Sequence, residues 1–147
     1  MTLEKNLGLL SALGAQLNEG TEELNEAIAI IERRINETKA GVSVWLDHFL
    51  NESDQDDEGL TTAYQLGYAK LRDGWHLAAR HVTIKHEGGD AGTWEIVETS
   101  EPTPLATAPR GVRVGAADLF EDLVEALADR VKGFLASIER AKAVARG

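Results

Sequence analysis

Apolar residues recur through the first 40 positions at alternating spacings of four and three: Leu3, Leu7, Leu10, Gly14, Leu17, Thr21, Leu24, Ile28, Ile31 and Ile35. This spacing draws a heptad-like seam along one face of a helix, and such a seam needs another element to cover it. A second seam, Phe120, Leu123, Leu127, Val131, Phe134 and Ile138, marks the C-terminal stretch. Between the two, short runs rich in β-branched and aromatic residues alternate with turn formers, as strands require. The pattern predicts an α+β fold in a single domain, 1–147. It comprises a helix over 1–40, an antiparallel β-meander of three to four strands over 41–99, a connector over 100–108 and a helix over 109–147, with the helices packed on one sheet face.

Local signals refine these limits. Thr21 followed by Glu22 and Glu23 suits a helix start, and Gly8, Gly14 and Gly20 weaken the first half, so a kink or fraying is expected near Gly20. Gly41 is expected to end the helix and Val42–Leu46 to open a strand. Arg72-Asp73-Gly74 reads as a hairpin turn between strands at about 61–71 and 75–84. Taken as a three-residue loop, it sets Leu71 opposite Trp75, Ala69 opposite Leu77 and Gly67 opposite Ala79. That register leaves Tyr64, Tyr68, His76 and Arg80 together on the second face, a mixed aromatic and basic surface suited to a partner or ligand. His86 to Gly92 is expected to form a further turn before a strand at Thr93–Glu98. Pro109 can open the last helix, and Gly111 and Gly115 predict a break before Asp118.

Four antiparallel strands return the chain to the end where it entered, which predicts antiparallel helices. The acids Glu19, Glu22, Glu23, Glu26 and Glu32 would instead meet the basic stretch 130–146 best in a parallel arrangement. Exposed ion pairs contribute only about 0.2–1 kcal/mol each, so connectivity is expected to govern within one chain. Pairing between two chains can satisfy both preferences, which points to a homodimer.

Charge and composition narrow the classes of function. The net charge is −10, from 25 acids and 15 bases, and this field repels a phosphate backbone, so general nucleic-acid binding is not expected. The acids crowd residues 41–108, with 12 against 4 bases, whereas 109–147 carries 6 acids and 7 bases. No apolar run reaches the roughly 20 residues of a membrane-spanning helix, and the first residues lack the pattern of a secretory signal. Cysteine is absent, which suits a cytoplasmic protein.

Candidate chemistry is sparse. Asp54, Asp56 and Glu58 alternate before Gly59 in the manner of a calcium loop, but the twelfth position counted from Asp54 is Gln65, where a bidentate glutamate is needed. A solvated acidic loop is the better reading, with a weak divalent-ion site as its rival. His48, His76, His81 and His86 lack the spacing of a zinc motif. No nucleophile elbow, phosphate loop or dinucleotide fingerprint occurs, and no cofactor is implied. These features favour a non-enzymatic protein-interaction protein, such as an accessory subunit, adaptor or small chaperone-like factor. One alternative is an acidic immunity protein or antitoxin that masks a basic partner. Another is a small ligand-binding module or enzyme with a pocket between sheet and helices.

Overall fold

The computed structural model describes residues 2–87 and 92–147. A 35-residue helix α1, Leu3–Glu37, leads into strands β1 (Val44–Leu50), β2 (Leu60–Leu71), β3 (Gly74–Glu87) and β4 (Thr93–Thr99). A two-residue strand β5 (Thr103–Pro104), helix α2 (Arg110–Ala116) and helix α3 (Phe120–Arg146) complete the chain. The sheet is antiparallel in the order β1-β2-β3-β4, with β5 also on β3. The fold is thus α+β with a meander. Of the expected turn His86–Gly92, His86 and Glu87 belong to β3, and residues 88–91 lie outside the described residues.

Helix α1 runs through Gly20 as one continuous helix, so the expected fraying is absent there. Thr21 does not cap a new helix; its hydroxyl donates to the Leu17 carbonyl at 2.7 Å, inside the turn. The true N-cap is Thr2, whose Oγ1 accepts the Lys5 amide at 3.2 Å. At the other end the chain leaves the helix before Gly41: Lys39 already has φ +56°. The break before Asp118 is present as a 3-10 turn, Ala117–Leu119, between α2 and α3.

The hairpin register differs from the expected one by one residue. Leu71 pairs with Gly74, Lys70 with Trp75, Tyr68 with Leu77 and Gly67 with Ala78, so the turn is the two-residue Arg72-Asp73. Gly74, at φ +133°, serves as the first residue of β3 and not as part of the loop. A one-residue slip exchanges faces. Leu66, Tyr68, Leu77 and Ala79 therefore turn toward the helices, where they join Ile28, Ile35, Leu105, Val112, Phe120, Leu123 and Leu127 in the main core.

The opposite face makes a smaller core from Ala63, Val82 and Ile84, flanked by Phe49 and Ile96. No helix covers it. Phe49 of β1 instead meets Trp94 of β4 edge to face, with centroids 5.1 Å apart, so the sheet curls until its outer strands approach over this concave side.

The helices do not take the expected antiparallel course, and charge is not the cause, because among the described residues no ion pair joins α1 to α3. Arg110 reaches Asn18, Arg113 reaches Asn25, and the first turn of α3 lines a groove with Ile31, Ile35 and Thr38, so contacts advance in the same sense along both segments. The reason is the connector. It runs along the β3 edge, turns inward at the fully buried Leu105 and delivers α2 and α3 beside β1. This parallel course replaces the antiparallel one expected from the sheet alone. The helices meet only near the body, and their remaining halves extend from opposite ends.

Candidate interaction surface

The seam of α1 divides at its middle. Ile28 and Ile35 are buried and Leu24 and Ile31 pack beside them, whereas Leu3, Leu7, Leu10 and Leu17 on the same face remain 50–73% exposed. Leu9 and Leu13 widen this uncovered strip, and no charged residue occurs between Asn6 and Asn18. Helix α3 repeats the division: Phe120, Leu123 and Leu127 are buried, Val131 packs against the core, and Phe134 and Ile138 stay about half exposed at 47% and 52%. An open groove of about 520 Å³ lies where the two seams meet, between Ile31 and Ile35 of α1 and Phe120 and Val124 of α3. Among the described residues no helix is long and apolar enough to cross a membrane.

The expected second-face set is separated by the register. Tyr64 and Tyr68 lie on the helix-covered face, while His76 and Arg80 belong to the other row. Tyr68 is buried and its hydroxyl donates to Asn36 Oδ1; burial, with the Glu32 carboxylate nearby, raises its pKa. Tyr64 packs edge to face on His81 at 5.1 Å.

His76 sits between two carboxylates, with Nδ1 3.1 Å from Glu32 and Nε2 2.8 Å from Asp73. Burial alone would lower its pKa, but the hydrogen bonds it donates to Asp73 and Glu32 and the charges of both carboxylates together hold it above the ordinary value. Only an imidazolium donates to both partners at once. The same Glu32 oxygen accepts the Leu77 amide at 2.8 Å, and Asn36 donates to the Trp75 carbonyl at 3.3 Å. This cluster ties α1 to the hairpin, so its polar groups are spent on the fold.

Arg80 faces the concave side. Its guanidinium lies 4.2 Å from the centroid of Trp45, and its Nε donates to Gln65 Oε1 at 2.8 Å. Trp45 lies flat over Gly67, where a Cβ would come within 2.3 Å of the indole. Burial lowers the Arg80 pKa.

Thr61, His86 and Glu52 also converge, all within 3.0–3.1 Å. A nucleophile relay needs the histidine to present one nitrogen to the hydroxyl and the other to the acid. Here the same Nε2 faces both, and Thr61 is 3% exposed, so the arrangement fastens β2 to β3 and to the loop after β1. In the acidic loop, Asp56 Oδ1 accepts the amides of Glu58 and Leu60, both at 2.9 Å, which closes a turn on itself. Asp54 and Glu58 are exposed beside it, and among the described residues no group of three His, Asp or Glu side chains forms a cage for a metal ion.

The residue pairs that sequence reasoning missed left one clear signal. A glycine inside an apolar strand, as at Gly67, marks a close approach by another group. Glu32 left a weaker one, an acid next to the seam position Ile31 and three residues before Ile35. Comparison of the chain with protein-family models, with curated proteins and with solved structures finds no match.

Proposed function

We propose that this chain is a non-enzymatic interaction protein that assembles as a homodimer through the uncovered halves of its helices, with the first half of α1 as the principal contact. The observation that carries the reading is the uncharged stretch Asn6–Asn18 bearing Leu7, Leu9, Leu10, Leu13 and Leu17, each at least half exposed. Fully burying one leucine contributes about 1.5–3 kcal/mol, so leaving this many in water is a standing cost that a partner removes. A second copy is the favoured partner because the same apolar strip can cover its equivalent, and its lack of charge lets two bodies of charge −10 meet away from their repelling surfaces. The absence of cysteine suits work in the cytoplasm, where no disulfide is needed.

The test is light scattering coupled to size exclusion on the native chain and on a Leu7→Lys/Leu10→Lys variant. Both positions lie outside the packed body, so near-ultraviolet circular dichroism should be unchanged. Twice the 15.9 kDa chain mass for the native protein, falling to one chain mass in the variant, supports the proposal. A native monomer at micromolar concentration overturns it.

A further inference from the structure

The concave face holds a cation whose surroundings do not use it up. Arg80 is only partly buried, and its Nε is committed to Gln65. The Gln65 amide is itself 2% exposed and fixed, because its Nε2 donates to the Leu46 carbonyl at 2.9 Å. The amide oxygen must then face Arg80, and Trp45, seated on Gly67, presses against the guanidinium from one side. Two neighbours, Gln65 and Trp45, each themselves held in place, therefore hold the group in one orientation before anything binds.

Its two terminal nitrogens have no hydrogen-bond partner among the described residues, and no described carboxylate lies within 4.0 Å, although the chain has ten more acids than bases. The other partly buried arginine shows the contrast. Arg113 gives Nε to the Ala108 carbonyl and Nη1 to Asn25, so two of its three nitrogens are bonded within the fold, against one in Arg80.

We propose that the concave sheet face carries a carboxylate-binding site centred on Arg80, with Trp45 and Gln65 as positioning residues. A guanidinium presents parallel N–H donors that match the two oxygens of a carboxylate, and a pre-oriented fork loses little freedom on binding. A carboxylate is preferred to a phosphate because one guanidinium balances one charge, and the chain as a whole carries ten more acids than bases. Phe49, opposite Gln65 on the same row, gives the ligand an apolar wall beside the fork.

The site is tested by titrating the isotope-labelled native protein with acetate and with a short peptide ending in aspartate, at constant ionic strength against chloride. The signals followed are the Arg80 Nε–H and the Trp45 indole N–H, assigned with Arg80→Lys and Trp45→Phe. Saturable shifts that chloride does not reproduce, and that vanish in Arg80→Met while the Val82 and Ile84 amides keep their positions, support the proposal. Saturation by the peptide at lower concentration than acetate assigns the carboxylate to a protein chain; equal saturation assigns it to a small free acid. Shifts equal to those in chloride, or shifts that persist in Arg80→Met, overturn it. If Arg80→Met loses its dispersed spectrum, Arg80→Lys decides: it keeps the charge without the fork, and unchanged binding there overturns the proposal.

Discussion

Glu32 Oε1 lies 2.8 Å from the Leu77 amide, so a helix side chain stands where β3 lacks a neighbouring strand. Strand β4 pairs with β3 only from Val82 onward, and β5 only at Ala78 and Ala79. An edge of this kind exposes backbone groups that must find partners. Glu32→Ala should therefore cost about 1–3 kcal/mol, the penalty of an unmet amide in a part-buried place. Glu32→Gln restores the acceptor and should recover part of it. Urea unfolding gives the energies, and hydrogen exchange at Leu77 shows whether the amide has opened.

The contact from Glu32 to His76 gives the fold a pH dependence. The His76 pKa is raised in the folded state by Asp73 and Glu32 against the opposing effect of burial. A raised value means that folding favours the protonated ring. The contribution is therefore complete below the ordinary histidine value of about 6.5 and is lost as pH rises through the folded value. The native protein should exceed His76→Gln in stability at mildly acidic pH, and the gap should shrink toward alkaline pH. A gap that stays constant across that range would show that His76 contributes by packing alone.

Gly67→Ala should destabilise the sheet by about 1–3 kcal/mol, as overpacking does. Its new Cβ would stand 2.3 Å from Trp45 Cε3 and 2.6 Å from the Val44 carbonyl oxygen, so a side chain and a strand must both move. Trp45→Ala in the same chain should restore only part of the loss, because the backbone contact remains. Thermal melts and the near-ultraviolet signal of the tryptophans report the two effects.

Gly8 and Gly20 have open space where a Cβ would stand, and neither lies on the seam. Gly8→Ala and Gly20→Ala should each stabilise the α1 helix by about 1 kcal/mol. Amide protection in the first half of α1 should rise, while the melting temperature of the body changes little. A large shift of the whole melting curve would mean that this half of α1 is coupled to the sheet.

Thr61→Val should cost about 1 kcal/mol by removing its hydrogen bonds with Glu52 and His86. Loss of stability at equal size and shape is the mark of a fastening role, and urea unfolding measures it.

The chain's pattern alone determined the element types and their order. The seams, the turn formers and the run of β-branched and aromatic residues each act through contacts between near neighbours in sequence, and local geometry makes them legible. The break between α2 and α3 was readable for the same reason, from Gly111 and Gly115. Tertiary structure decided the rest. A difference of one residue at Gly74 placed Tyr68 in the core and left Arg80 without it on the concave side, because strand register depends on which face finds cover. Similarly, burial of Leu105 turned the connector beneath α1 and set the helices parallel. Ile28 and Leu10 occupy equivalent places in one periodic seam, yet one is buried and the other exposed. Periodicity says which face is apolar; only the extent of the sheet beneath it decides where that face is covered.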